Sequence, residues 1–292
     1  MIWSKHSSLS RWHTDRWLSP MLALPAAGAA SILLLVLGFL LREAWPLLGG
    51  AGWLRFFADQ GWHPLENRFG LTPMLWATLA AAFGALLLAA PVGLAGAIFT
   101  HFYAPPLAAK LVRIMLALLA GIPSVVYGLW GLTVLVPLIA RWQQPGASLL
   151  AAMLILALMI VPTVALTSSS ALNAVPSSLL HGAAALGLSR KGIVLGVAVP
   201  AARVGIIGGI LLASARALGE TMAVLMVAGN VVQNPTGLFD PVRVLTANIA
   251  LEMGYATGSH RAGLFASGLL LTLLVLVLAW LGARIVGRAQ HG

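Results

Sequence analysis

Arg216 and Glu220 are the only charged residues lying deep inside an apolar run of this chain, which extends from about Val204 to Val227. At ~1.5 Å of rise per residue, Arg216 is expected ~18 Å along that run, near the middle of a ~30 Å hydrocarbon layer. A charged side chain at that depth costs on the order of 3 kcal/mol even on a lenient insertion scale, so it marks a functional candidate. Residues four apart share a helix face and can pair, although acid before base is the better order. The guanidinium presents a fork of donors that suits an oxyanion, and the nearby acid would temper its hold and favour release. Ser214 and Thr221 add hydroxyls beside the pair, with bonding to their own helix backbone as the equal alternative. The competing view of the pair itself is an ion bridge that locks two helices together.

Other chemistry is missing from the chain. It has no cysteine, so disulfides, thiolate metal sites and cysteine nucleophiles are excluded, and no Cys/His cluster suggests a metal. No cofactor is expected. A membrane-embedded enzyme would want a second catalytic group at membrane depth, and none is seen. The sequence lacks G-x-x-x-x-G-K-[ST], so this chain cannot hold ATP in a P-loop and is not itself an ATPase.

The elements that must position Arg216 are membrane helices. Of 292 residues, 60% are hydrophobic and 8% charged, against about 25% charged in soluble domains. The net charge of +10 follows the loops between apolar spans, so it reports topology and not nucleic-acid binding. Gly205, Gly209, Ala213, Arg216 and Glu220 fall within a sector of roughly 80° at ~100° per residue, so the charged face is also a face of small residues that another helix can approach closely.

Taken in order, residues 1–19 form a cytoplasmic segment and 20–41 a retained first membrane anchor, too long for a signal-peptide core. Residues 42–70 make a periplasmic loop whose Trp53, Phe56, Phe57 and Trp62 are expected at the membrane interface. Residues 71–286 form the main transmembrane domain. Its second span, from about Thr72 to Phe99, carries a column of Ala77, Ala81, Ala85, Ala89, Gly93 and Ala97. Residues 111–140 are broken by Gly121, Pro123 and Gly128, and a broken span or two short segments both fit, with charge bias favouring one net crossing. Further spans cover 149–167, 204–227 and 264–282, separated by a long inner segment, 171–202, and an outer loop, 229–262.

This topology has six crossings and both termini inside. It places ten of the 17 bases on the inner side, Lys5, Arg11, Arg16, Lys110, Arg113, Arg190, Lys191, Arg203, Arg284 and Arg288, with Asp15 as the only acid there. No internal duplication is visible, which disfavours a repeat-built secondary carrier.

The inner segment holds His181, Gly182, Ala183 and Gly187, then after nine residues Val197, Ala198, Val199 and Pro200. This spacing resembles the EAA loop of ABC-importer permeases, with His181 where that pattern has Glu and Gly182 where it has Ala. Val175 and Pro176 introduce a turn, Ser177 and Ser178 can cap a helix, and Ala183 to Leu186 form a compact surface. The resemblance narrows through RALGETMAVLMVAGN at Arg216 to Asn230, IPSVVYGLWGL at Ile122 to Leu132, and Trp62, Pro64, Phe69, Gly70, Pro73 and Thr78. These look like the PstC-type permease subunits of phosphate-specific ABC importers, over roughly residues 60–285.

That resemblance implies an all-α polytopic membrane protein with six transmembrane helices, the type I ABC importer permease (MetI-like) fold, and a cytoplasmic coupling-helix loop. It implies import of inorganic phosphate across a bacterial inner membrane. The implied partners are two ATP-hydrolysing subunits docked on the loop, a second permease of PstA type, a periplasmic phosphate-binding protein, and membrane lipid. A permease for molybdate or sulfate is the alternative within the class; a proton-coupled secondary carrier using Arg216 and Glu220 as a relay is the alternative outside it.

Overall fold

Apolar sequence at helical length dictates long helices, and the computed structural model describes residues 11–49, 52–59 and 61–290 accordingly. The first ten residues, with Lys5, lie outside the described residues, as do the last two. Helix α1 spans Arg11–Leu48 and α2 Gly52–Ala58; strands β1 (Trp62–His63) and β2 (Arg68–Phe69) form a small antiparallel hairpin. Helix α3 spans Thr72–Ile98, followed by a π turn; α4 Pro106–Gly121, α5 Ser124–Trp130 and α6 Val136–Ala140 make the next unit. Then come α7 (Leu149–Asn173), α8 (Ser177–Ala185), α9 (Arg190–Ile193), α10 (Val199–Gly219), α11 (Met222–Val227), α12 (Leu245–Glu252) and α13 (Gly258–Gln290).

Among the described residues five stretches are long and apolar enough to cross a membrane: Pro20–Leu48, Thr72–Tyr103, Leu149–Asn173, Arg190–Gly219 and Gly258–Ile285. A sixth is the pair Pro106–Gly121 and Ser124–Ala140, bent by 93°. Ile122 and Pro123 between them have ψ of 130° and 140°, outside the helical range, and Ile122, as the residue before a proline, is pushed out of the α region. The pair makes one net crossing. It leaves the end of the molecule where His101 meets Asn173, and its far end leads into α7 at the opposite end, where Leu149 donates to the Asp240 carbonyl.

The centre is built from small residues. Ala77, Ala81, Ala85, Ala89 and Ala97 are all at most 1% exposed, so the alanine column is the seam along which α3 lies on α7. A Cβ at Gly93 would stand 2.8 Å from Val164 Cβ. One at Gly205 would meet Ala171 at 2.6 Å, and one at Gly209 would collide with Thr167. The glycine face of α10 therefore packs directly on α7, as the small-residue pattern predicts. Helix α1 stands apart, its apolar residues largely exposed, and touches α13 through an edge-on contact of Phe39 and Phe265 at 5.5 Å.

Several boundaries differ from those read in the sequence. The anchor helix runs through Leu48, seven residues beyond 41, because Arg42 and Glu43 sit on an end that hydropathy alone truncates. The fifth crossing begins at Arg190, not 204: a π turn over Val194–Ala198 carries α9 into α10 without a break. In the outer loop, Trp53 and Phe57 are exposed, but Phe56 and Trp62 are 4% and 5% exposed and pack with Phe69, Leu71 and Met74 in a second core, so they are core residues and not interface anchors.

Candidate functional site

The fifth crossing does not continue through Glu220. Helix α10 ends at Gly219, Glu220 is extended at φ −71°, ψ 129°, and α11 restarts at Met222. This overturns the expectation of one helix from Val204 to Val227 with Arg216 and Glu220 on one face. Arg216 stands in the last turn of α10, about 39 Å from the start of the crossing at Arg190, which corrects the estimate made from Val204. Periodicity missed the break because the residues on both sides are apolar and no proline marks it.

The break redistributes the polar groups. The Glu220 carboxylate accepts from the Ala223 N–H at 3.2 Å, capping α11, and its backbone carbonyl accepts from Thr246 Oγ1 at 2.8 Å. Among the described residues no ion pair joins it to Arg216. Ser214 Oγ donates to Ile210 O at 2.8 Å and Thr221 Oγ1 to Gly219 O at 3.4 Å, so both hydroxyls serve their own backbone. Arg216 itself is half-buried with no hydrogen-bond or ion-pair partner among the described residues. Tyr127 lies nearby.

Tyr127 belongs to the other broken crossing, where its hydroxyl donates back across the bend to Leu119 O at 2.7 Å. Helices α5 and α11 pack against each other through glycine: a Cβ at Gly128 would lie 2.9 Å from Ala223 Cα, and one at Gly131 would lie 2.8 Å from Val227 Cγ1. Two interrupted helices are thus held side by side, with the Arg216 guanidinium beside the interruptions.

The hairpin of α8 and α9, read from the sequence as the inner segment, is a second candidate site. Helix α8 ends in a Schellman motif: Leu188 N–H donates to Ala183 O at 3.2 Å and Gly187 N–H to Ala184 O at 3.0 Å, with Gly187 left-handed at φ +80°. Ala183 is buried, while His181, Gly182, Gly187 and Pro200 are exposed, and Leu186 projects at 82% exposure. The expected caps are corrected: Pro176 is the N-cap of α8 and no side chain caps it, since Ser177 and Ser178 already lie inside the helix. The capping serine is Ser189, whose Oγ accepts from Gly192 N–H at 3.2 Å. Arg190 lies over the Tyr103 ring at 5.1 Å, tying the hairpin to the end of the second crossing.

Sequence reasoning missed a polar cluster at the opposite end. Glu252, 8% exposed, accepts from Arg243 Nη1 at 2.7 Å and Trp62 Nε1 at 2.7 Å, and its Oε2 lies 2.8 Å from His260 Nε2. Arg243 also donates to Asn248 Oδ1 and to the Asn230 carbonyl, at 3.1 and 2.9 Å. Trp62 and Glu252 are 190 residues apart, so no local signal announces the cluster. In the loop between, Thr236 and Gly237 hydrogen-bond the Asp240 carboxylate and hold its pKa below the ordinary value.

Six apolar crossings among the described residues, with an exposed helical hairpin at one end, define a polytopic membrane protein. The chain belongs to the family described as "Binding-protein-dependent transport system inner membrane component", whose model matches residues 91–291. It is 39% identical over 248 residues to the probable ABC transporter permease protein YqgH of Bacillus subtilis, covering 82% of this chain and 80% of that one. It is 35% identical over 281 residues to the phosphate transport system permease protein PstC of Mesorhizobium japonicum, covering 86% of each. Among solved structures, a chain of a bacterial ABC transporter involved in alginate import matches with a TM-score of 0.68 at 15% identity, over 96% of this chain and 98% of that one. A chain of the MetNI methionine ABC transporter in an inward-facing conformation matches at 0.62 and 21% identity, over 75% and 95%. The fold is that of the type I ABC importer permeases.

Proposed function

We propose that this chain is the PstC-type permease subunit of an importer that moves inorganic phosphate into a bacterial cytoplasm, driven by ATP hydrolysis on separate subunits. The observation that carries the reading is Arg216: a half-buried guanidinium beside two helix breaks, with its acid neighbour committed to capping α11 and no ion-pair partner among the described residues. An arginine fork left open in this way suits a tetrahedral oxyanion. Relatives named as phosphate permeases give the oxyanion its identity. The relay of a proton-coupled carrier fits less well, since Arg216 and Glu220 make no direct contact through which a proton would pass.

In this reading Arg216 meets phosphate in the path, while Glu220 shapes the break and keeps a negative charge nearby that limits retention. Ser214 and Thr221, bonded to backbone, are spacers and not ligands. His181, Gly182, Ala183 and Gly187 form the cytoplasmic hairpin that docks an ATPase subunit, with Leu179, Leu186 and Leu188 as the exposed apolar contact, and Pro200 opens α10, which carries the docking to the membrane. A second permease of PstA type, two ATPase subunits and a periplasmic phosphate-binding protein complete the assembly, with both termini in the cytoplasm.

The test is Arg216→Gln in the whole complex, reconstituted with its binding protein. Phosphate uptake should fall by at least tenfold, about 1.4 kcal/mol in barrier terms, while assembly is unchanged. Arg216→Lys should recover only part, because an ammonium lacks the planar fork. Uptake at the normal rate in Arg216→Gln would remove Arg216 from the path.

A further inference from the structure

The outer polar cluster and the helix break are joined by short contacts through one small helix. Helix α12 has eight residues. Its first turn is held to α3, where Leu245 N–H donates to Thr78 Oγ1 at 3.0 Å. Its last residue is Glu252, clamped by Arg243, Trp62 and His260 from three other segments. One position from its start, Thr246 donates to the carbonyl of Glu220 at 2.8 Å. A second route reaches the same place: Arg243 Nε bonds the Asn230 carbonyl, and Asn230 Nδ2 bonds Leu225 O at the end of α11.

We propose that Thr246 is a positioning residue for the transport path, and that Glu252 fixes α12 so that Thr246 can hold Glu220 in its extended conformation. The proposal rests on the assignment of Arg216 to the path. Glu220 interrupts the helix, so its carbonyl is outside both helical ladders and takes its bond from a side chain instead. Without that bond the carbonyl is drawn back toward a helical geometry that would join α10 to α11 and swing the Glu220 side chain onto the face of Arg216.

The far end of α12 is reachable from outside. Glu252 and His260 line a depression of 520 Å³ that also takes in Leu65, fully exposed, and Tyr255. Two buried atoms in the network, Asn230 Oδ1 and Asn248 Nδ2, have no partner among the described residues. The network is therefore not fully satisfied in this geometry, and a second arrangement gives up less than a saturated one would.

The experiment uses the assembled complex with Thr246→Val, which keeps the shape and removes the donor, and Thr246→Ser, which restores it. Uptake of inorganic phosphate per assembled complex should fall about fivefold in Thr246→Val, the size of one lost hydrogen bond, and return in Thr246→Ser. The chain has no cysteine, so Met222→Cys at the start of α11, a 44% exposed position, gives an independent readout. Its maleimide labelling rate should change severalfold with Thr246→Val and revert with Thr246→Ser, and Glu252→Gln should shift it in the same direction. Unchanged labelling in Thr246→Val overturns the proposal, as does a loss of uptake explained wholly by less assembled complex. A changed labelling rate with normal uptake also overturns the role in transport. If Arg216→Gln then transports normally as well, the path assignment has failed and not the hold of Thr246 on Glu220.

Discussion

An arginine with no hydrogen-bond or ion-pair partner among the described residues and a glycine with no room for a methyl group constrain this molecule in opposite ways. The Glu220 carboxylate is turned to cap α11, which leaves Arg216 without an ion-pair partner among the described residues and, in the proposed function, open to an anion. Gly93 has the reverse character, being conspicuous for what it lacks. Leucine there would push into Val164 and Ala165, while leucine at Gly96, one turn along the same helix, meets open space. Gly93→Leu is expected to cost about 1–3 kcal/mol by overpacking. Thermal unfolding of the purified protein should show a clear loss of stability for Gly93→Leu and little for Gly96→Leu; equal losses would show that α3 does not lean on α7 at that point.

At the scale of elements, the inner hairpin is shaped by its connection more than by its helices. Helix α8 is only nine residues long and has no side-chain cap at its start, so its direction depends on the left-handed turn at Gly187. Nothing lies within 4 Å of a Cβ built there, and the cost of Gly187→Ala is therefore conformational, about 1 kcal/mol or somewhat more for a non-glycine residue in the left-handed region. In the assembled complex, this substitution should leave insertion intact and lower substrate-stimulated ATP hydrolysis severalfold as the exposed leucines of the hairpin change aim. Undiminished stimulated hydrolysis in Gly187→Ala would reject the hairpin as the coupling element.

For the whole molecule, the two ends are distinguished by charge and by what they carry. The end with the hairpin gathers Lys110, Arg113, Arg190 and Lys191, and basic loops stay in the cytoplasm. The other end carries the β1–β2 turn and the Glu252 cluster. Single cysteines placed at Leu65 and at His181, both exposed, should react with an impermeant thiol reagent from opposite sides, Leu65 from outside and His181 from inside. Labelling of both from one side would refute the arrangement of six crossings.

The sequence by itself determined that this is a polytopic helical membrane protein, where most crossings lie, and which faces are small enough to pack. Hydropathy over about 20 residues and side-chain size at a helical period are local properties, legible without coordinates. The same holds for the inner hairpin, whose glycine and proline spacing reflects a local turn. Only the tertiary structure decided that α10 stops at Gly219, because a helix break without proline is fixed by the partner of the freed carbonyl, here Thr246, 26 residues further on. It also decided that Glu252 draws Trp62, Arg243 and His260 together and that Phe56 and Trp62 are core. Those contacts join segments distant in the chain, and a buried carboxylate collects its donors only once the packing of apolar helices has brought them within reach.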